Sequence, residues 1–268
     1  MSSKDKINIV LITQEDMFAI PRNIKLLIDS EYINIQKCYL IDSPSSLINK
    51  KSYFINGFGL KQSIKMGLQV FIYQFLDLLN RVFSLPIPEK FISIRNICKS
   101  FNISLETIKD INSNNLLLEL ENLNTDLVVS YSAPTVFKKD LLELPKYGCI
   151  NLHCSLLPKY SGVMPSFWTL LHNEKLAGCS IHTMDDLIDN GDLLMQKSLP
   201  INREDTMFTI IRKSKKMGGE LMLETILYLN RFKKLPDKIQ IDEADRTYYT
   251  WPKQDDFKKF KENKRKLI

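Results

Sequence analysis

The feature that most constrains the fold is the run Ile7-Asn8-Ile9-Val10-Leu11-Ile12. It is aliphatic on both of its alternating sides. That pattern belongs to a strand covered on both faces, as in a parallel sheet. A turn over Thr13–Asp16 follows, then a helix over Ile20–Ile28 with Pro21 in its first turn. Ile33–Ile41 reads as a second strand. Strand, helix and strand at this spacing open a parallel α/β sheet. With 268 residues, 44% of them hydrophobic, the chain can bury a sizeable core in one domain plus a small appendage, or in two small domains.

Further along, Ile64, Leu68, Phe71, Ile72, Phe75, Leu79, Val82 and Phe83 recur at helical steps. They predict one long helix, used as a core helix or a dimer face and ended by Pro86 and Pro88. Its polar side is not strongly basic, which disfavours a membrane-surface helix. Short helices are expected over Ile94–Phe101, Leu116–Asn122 and Lys138–Leu144. Strands are expected over Asp126–Ser130, Gly148–Leu152 and Ser180–Met184. Loops fill Tyr131–Val136 and Asp185–Gly191. Thr206–Leu229 has helical spacing, and a basic helix closes the chain.

Charge and cysteine content narrow the class. The net charge is +6, but Lys258, Lys259, Lys261, Lys264, Arg265 and Lys266 account for as much. They read as a frayed, solvated tail and not as a nucleic-acid surface. The five cysteines form no Cys-x-x-Cys pair and read as reduced, mostly buried thiols. Cys149, His153 and Cys154 lack a second ligand pair at metal-site spacing, so no metal is expected. Residues Met1–Lys6 are polar, unlike a secretory leader. The most apolar stretch, Met66–Leu76, is too short to span a bilayer. A cytoplasmic location is the expectation.

The chemistry concentrates in Asn151-Leu-His153-Cys-Ser155-Leu-Leu-Pro158 and in Ile188-Asp189-Asn-Gly-Asp192. Asn151 and His153 are two apart, so on an extended segment their side chains point the same way. An amide and an imidazole can stabilise the oxyanion formed when an amine attacks an acyl donor. Asp189 can hold the imidazole and relay the proton the amine loses. Cys154 would point away, so it is not expected to act as a nucleophile. Taken alone, His153 could equally be structural and Asp189 a turn residue.

The longer string leaves less room. Asn151 to Gly162, then Pro165-Ser-Phe-Trp168, Gly178-Cys-Ser-Ile-His182-Thr-Met184, Ile188 to Asp192 and Gln196 resemble the 10-formyltetrahydrofolate-dependent formyltransferases. The resemblance covers about residues 126–198. It implies an α/β, Rossmann-like open sheet, mostly parallel, with helices on both faces and a short C-terminal appendage. The implied division is 1–200 for the catalytic domain and 201–268 for the remainder. It implies Asn151, His153 and Asp189 as the catalytic triad and N10-formyltetrahydrofolate as co-substrate. The co-substrate would lie along Tyr131, Ser132, Ala133, Pro134 and Val136, along Asp185 and Asp186, and against Ser155, Leu156, Leu157 and Pro158. Ser161 stands where many members carry Arg.

The acceptor is the open choice. Thr13-Gln-Glu-Asp16 carries two carboxylates where the glycinamide ribonucleotide enzymes resembled have a Gly-rich phosphate turn. About seventy residues follow Gln196, fewer than expected for the further domain of the tRNA enzymes plus a core helix. The formyltetrahydrofolate hydrolases carry an N-terminal regulatory domain, whereas this sequence opens on its first strand. The phrases Val163–Trp168 and Tyr248-Tyr249-Thr250-Trp251-Pro252 resemble sugar N-formyltransferases of surface-polysaccharide (O-antigen, lipopolysaccharide) synthesis. A nucleotide-linked amino sugar is therefore the expected acceptor, contacted by Lys159, Trp168, Tyr248, Tyr249 and Trp251. Arg22, Lys159 and Arg246 are the candidate pyrophosphate cations. A homodimer is expected, with no nucleic-acid or membrane partner. A non-catalytic folate-binding protein is the remaining alternative.

Overall fold

The aliphatic run becomes β1 (Ile7–Thr13), in which Ile9 to Ile12 are completely buried. The computed structural model describes residues 6–16, 19–42, 50–83, 93–133 and 135–268. Among these the other strands are β2 (Ile33–Ile41), β3 (Ser104–Ile108), β4 (Leu127–Tyr131), β5 (Cys149–His153), β6 (Ser161–Gly162), β7 (Leu176–Thr183), β8 (Leu193–Pro200) and β9 (Tyr248–Tyr249). The helices are α1 (Ile20–Ile28), α2 (Lys50–Phe58), α3 (Leu60–Phe83), α4 (Ile94–Ser100), α5 (Asn114–Asn122), α6 (Lys139–Glu143), α7 (Pro165–Leu171), α8 (Met207–Phe232) and α9 (Gln254–Glu262).

The main sheet has the order β3-β2-β1-β4-β5-β7-β8. The pairs from β3 through β5 are parallel, and those of β5 with β7 and β7 with β8 are antiparallel. The chain leaves β1 toward β2 and returns to β4 on β1's other side. The switch point thus lies between the carboxyl ends of β1 and β4, where such sheets bind ligands. There Thr13 Oγ1 donates to the Tyr131 carbonyl at 2.9 Å.

Strand alternation divides the core. Ile9 and Leu11 pack in one cluster with Ile24 and Leu27 of α1 and Leu221, Met222 and Ile226 of α8. Val10 and Ile12 join the opposite cluster with Leu116 and Leu120 of α5 and Leu141 of α6. Burying each such side chain contributes about 1.5–3 kcal/mol. The same alternation in β5 sends Ile150 and Leu152 to the α1/α8 side and Cys149 to the other. Gly218 of α8 packs directly on Leu152: a Cβ there would stand 2.3 Å from Leu152 Cδ1, so a larger residue would require that side chain to move.

α8, which the sequence reading placed in the 201–268 segment, packs against β5, β7, β8 and α1. Its start is closed by a reciprocal cap between Thr206 and Thr209. A third cluster gathers Phe167 and Trp168 of α7, Phe58 of α2, and Phe257 and Phe260 of α9.

Two expectations change. The basic tail is not frayed. Phe257, Phe260 and Leu267 are buried, and Met207 and Phe208 N–H groups donate to the Lys266 and Leu267 carbonyls at 2.9 Å. The apolar residues of α9 hold the tail down while its lysines face solvent. The long apolar helix is not a core helix either, because most of its apolar series is exposed and its buried side is Tyr73 and Asp77. Pro86 and Pro88 lie outside the described residues. Among the described residues, no helix is long and apolar enough to cross a membrane.

Candidate active site

His153 is the last residue of β5, which runs one residue beyond the strand end expected from sequence. Asn151 and His153 share the face that Leu152 does not use, and both are buried. β7 runs antiparallel beside them with His182 opposite Asn151. The loop after β7 then folds back and presents Asp189 in the left-handed region at φ 51. An Asp tolerates that conformation better than most residues.

Asp189 is the hub. Its Oδ2 lies 3.2 Å from His153 Nδ1, and its Oδ1 lies 3.5 Å from His182 Nε2. The Gly162 N–H donates to Oδ2 at 2.8 Å. Burial pushes the Asp189 carboxyl upward. The charge of His153, the hydrogen bond and charge of His182 and the Gly162 N–H outweigh it and hold the group well below the ordinary carboxylate range. Asp189 is therefore an anion at neutral pH.

His153 is flanked by acceptors at both nitrogens, since Nε2 lies 2.8 Å from the Tyr160 carbonyl. A neutral imidazole has one N–H, and the imidazolium has two. His182 Nδ1 sits 2.6 Å from the Thr183 carbonyl, and its Nε2 lies 3.2 Å from Asn151 Nδ2. Nδ1 faces a carbonyl and so donates, while Nε2 faces both the Asn151 amide and, at 3.5 Å, Asp189 Oδ1. Asn151 Oδ1 remains buried without a partner. His182 was absent from the site residues read from sequence. It was visible only as part of Gly178-Cys-Ser-Ile-His182, and its role needs the β5–β7 register.

The segment Ser155–Pro158 is bound to its surroundings. Ser180 Oγ donates to the Ser155 carbonyl at 2.7 Å, and the Leu157 N–H donates to Ser180 Oγ at 3.1 Å. Gln196 Nε2 donates to the Leu157 carbonyl at 2.8 Å, and Ser155 Oγ donates to the Lys159 carbonyl at 2.8 Å. Cys154 is a thiol at neutral pH, because burial pushes it up to about 11.

In the loops beyond β4 and β7, Ala133 and Met184 both pack against the Val10/Ile12 cluster. Tyr131 is buried and Val136 exposed, and Ser132 is left-handed at φ 57. Pro134 lies outside the described residues. Asp185 spends its oxygens on its own loop, accepting from the Leu187 N–H at 3.0 Å and from Asn190 Nδ2 at 2.7 Å. Asp186 is exposed.

In the first loop the two carboxylates are engaged by neighbours. Asp16 accepts the Ala19 N–H at the start of α1 at 2.9 Å and pairs with Lys215 of α8. Its charge is compensated, and it occupies a helix N-terminal donor that an anion would otherwise use. Glu15 is raised by burial and lies 3.9 Å from Arg95.

The residues expected to touch the acceptor separate. Trp168, Tyr248, Tyr249 and Trp251 line a cleft of about 610 Å³. Lys159 lines another, of about 400 Å³, and lies 3.7 Å from Asp245. Trp168 is mostly buried and stacks on Tyr249 with centroids 4.5 Å apart, while Tyr248 and Trp251 are exposed. The small β6–β9 sheet joins this cleft to the hub, because Gly162 pairs with Tyr249 and its N–H holds Asp189. Ser161 is buried in β6 with its hydroxyl unpartnered. Of the cations considered, Arg246 is nearest the hub. It donates to the Asp189 carbonyl at 3.4 Å and pairs with Glu243. Arg22 pairs with Glu220 of α8. Among the described residues no group of three or more His, Cys, Asp or Glu side chains is arranged to hold a metal.

An amide, two imidazoles and a carboxylate thus converge at one end of an open α/β sheet. The chain belongs to the formyl transferase family, whose model matches residues 90–226. It is 40% identical over 121 residues to the methionyl-tRNA formyltransferase of Thermodesulfovibrio yellowstonii, covering 45% of this chain and 38% of that one. The chain spans less than half the length of such curated relatives. Among solved structures it is similar to the N-formyltransferase from Helicobacter canadensis in complex with folinic acid and dTDP-3-aminofucose. The TM-score is 0.58 at 16% identity, covering 91% of this chain and 71% of that one. It is also similar to the phosphoribosylglycinamide formyltransferase from Anaplasma phagocytophilum, with TM-score 0.60 at 18% identity over 92% and 98% of the two chains. At these identities the structures establish the shared fold: a mostly parallel sheet flanked by helices.

Proposed function

We propose that this chain transfers a formyl group from N10-formyltetrahydrofolate to the amine of a nucleotide-linked amino sugar, in the cytoplasm, for surface-polysaccharide synthesis. The observation that carries formyl transfer is the convergence of Asn151, His153 and Asp189. The amine nitrogen bonds the formyl carbon, the carbon's bond to N10 breaks, and the proton lost by the amine ends on N10. The folate supplies an activated one-carbon unit. The protein's part is positional and electrostatic. Asn151 and, once its Nε2 turns from the Tyr160 carbonyl, His153 donate to the charge developing on the formyl oxygen, and Asp189 holds the imidazole and receives the amine's proton in transit. The unpartnered Asn151 Oδ1 fits a site built to take a hydrogen-bonding ligand. The loops around Ala133 and Met184 are the proposed folate walls.

The acceptor reading is supported by the aromatic cleft at Trp168, Tyr248, Tyr249 and Trp251, joined to Asp189 through β6. A base stacked there gains about 1–3 kcal/mol. Arg246 is the proposed pyrophosphate cation. The complex of the Helicobacter canadensis protein with dTDP-3-aminofucose agrees with this class of acceptor. A second reading, transfer to methionyl-tRNA, is favoured by the 40% identity to that enzyme. The test presents equal concentrations of dTDP-, UDP- and GDP-amino sugars, glycinamide ribonucleotide and methionyl-tRNA with 10-formyltetrahydrofolate. The sugar reading expects the highest kcat/KM for one amino sugar. A higher value for either other acceptor overturns it, and release of formate with every acceptor inert makes the protein a hydrolase. The homodimer expected from sequence is a separate proposal, independent of the acceptor.

A further inference from the structure

We propose that α3 attaches this protein to an anionic lipid bilayer: its exposed apolar side enters the headgroup region, and lysines beside that side meet the lipid phosphates. Leu60, Ile64, Leu68, Phe71, Phe75 and Leu78 are large, apolar and exposed. Ile72, Val82 and Phe83 extend the series, and all nine are exposed by 43–65%. At about 100° per residue they fall within about 140° of arc. Tyr73 and Asp77, the buried residues of α3, lie opposite that arc. Asp77 Oδ1 accepts the Ser93 N–H at 2.7 Å. The helix is therefore fixed to the body by one side and presents the other along its length. The nine side chains expose on the order of 900 Å², above the few hundred that a monomer usually leaves in one patch.

The charges around this side select the occupant. Across residues 50–83 the only carboxylate is Asp77, and it is buried. Lys61 and Lys65 are exposed along one edge of the apolar arc, and Arg81, 3.5 Å from Asp77, lies beyond the other edge. On the Lys65 edge the helix meets the C-terminal tail, whose Ile268 N–H donates to Gln62 Oε1 at 3.2 Å. α9 packs on α2 beside it, with the Phe257 and Phe58 ring centroids 4.9 Å apart. This brings Lys258, Lys261, Lys264 and Lys266, all exposed, toward the start of α3. Over 254–268 six cationic side chains stand against three carboxylates, Asp255, Asp256 and Glu262. An apolar helix face bordered by cations and free of acids is the pattern of an interfacial helix, and a basic patch supplies the second signal that stable attachment needs. Anionic headgroups attract such lysines within a Debye length, about 8–10 Å.

A second copy fits this side less well. In an antiparallel pair centred between Phe71 and Ile72, Leu78 and Val82 meet Lys65 and Lys61, and each pairing occurs twice. That takes ammonium groups out of water with no carboxylate to receive them. At a bilayer the same lysines lay their stems on apolar surface and keep their heads among the phosphates. The sequence reading set a membrane surface aside because the polar side of this helix is weakly basic. In the fold that side is docked on the body through Tyr73 and Asp77, and the cations beside the exposed face are those of its edge and of the tail. The attachment is independent of which amine accepts the formyl group.

The test is co-sedimentation of the full chain, at micromolar concentration, with vesicles of phosphatidylcholine alone or of phosphatidylcholine with phosphatidylglycerol. The wild type is expected to partition onto the phosphatidylglycerol vesicles about tenfold or more strongly than onto phosphatidylcholine alone, and to be partly released as salt is raised. Leu68→Glu combined with Phe71→Glu is expected to lower partitioning about tenfold or more. Circular dichroism and the thermal midpoint should stay at wild-type values, since both side chains face away from the body. Lys61→Gln combined with Lys65→Gln is expected to lower binding to phosphatidylglycerol vesicles about tenfold and to leave binding to phosphatidylcholine unchanged. A wild type that ignores phosphatidylglycerol vesicles overturns the attachment. Binding that survives Leu68→Glu with Phe71→Glu overturns the face. Binding equal on the two lipids, or unmoved by the lysine variant, overturns the role of charge. A wild type that is dimeric by light scattering, ignores vesicles and becomes monomeric with the two glutamates gives the face to a second copy and overturns the membrane.

Discussion

Asn151 and His182 stand opposite each other on antiparallel strands, and Asn151 Nδ2 meets His182 Nε2 at 3.2 Å. The amide proposed to bind the formyl oxygen is thus oriented by an imidazole that also faces Asp189. His182→Leu removes this support and leaves a buried amide unpaired. The expected cost is about 1–3 kcal/mol of stability by urea unfolding and a lower kcat with KM little changed. His182→Gln, which can still accept from Asn151, should recover most of the stability. Equal losses in the two variants would mean that His182 acts only through its volume.

Gly191 closes the Asp189 loop against β7. A Cβ there would lie 1.9 Å from the Thr183 carbonyl oxygen, a backbone atom that cannot swing aside. Gly191→Ala should displace the loop, lengthen the Asp189–His153 contact and lower turnover by about tenfold or more, as misplacement of positioned groups does. The comparison variant is Gly59→Ala, which has no atom within 4 Å but a φ of +88. It should cost stability through backbone strain alone and leave turnover unchanged.

The pH dependence of stability follows from Asp189. Its carboxyl is held below the ordinary range by His153, His182 and the Gly162 N–H against the opposing effect of burial. A group depressed on folding stabilises fully above its unfolded pKa, near 3.9, and that stability is lost as pH falls toward the folded value. The gap in unfolding free energy between wild type and Asp189→Asn should therefore be steady above about pH 5 and shrink below about pH 4. Chemical denaturation across that range measures it, and a gap that grows on acidification contradicts the assignment.

Cys154 follows His153 in sequence, and its burial argues against a nucleophilic role. With its thiol pushed up to about 11 by burial, the thiolate is scarce at neutral pH. Cys154→Ala should keep kcat/KM within about threefold of wild type, as expected when no nucleophile is lost. A burst of formyl-enzyme by mass spectrometry that Cys154→Ala abolishes would reverse this view.

The elements read most clearly from sequence were those whose apolar pattern matches their burial. Ile20–Ile28 and Ile33–Ile41 form over those spans, and β1 is one residue longer than the run that announced it. β3 escaped because Ser104-Leu-Glu-Thr-Ile108 is an edge strand with no residue fully buried, and it carries little apolar signal. α7 escaped for the opposite reason. Six of its seven residues are buried, so it has no polar face and no helical period. The Asn151 and His153 pair was legible because two-residue spacing fixes a common face. His182 was not, because its role depends on which strand lies beside β5 and in what register. The aromatic cleft was half legible: Trp168 and Tyr249 stand out in sequence, but β6 and β9 are two residues each and only the fold brings them together.

The most direct measurement is single-turnover formyl transfer from 10-formyltetrahydrofolate by wild type, His153→Asn and Asp189→Asn, using the best acceptor and following formylated product by mass. Both variants should fold with wild-type circular dichroism. Both should slow the transfer step by about a hundredfold or more, the scale of losing an acid–base or oxyanion contribution. Transfer within about threefold of wild type in both, under saturating folate, would contradict the assignment of Asn151, His153 and Asp189 as the reacting constellation.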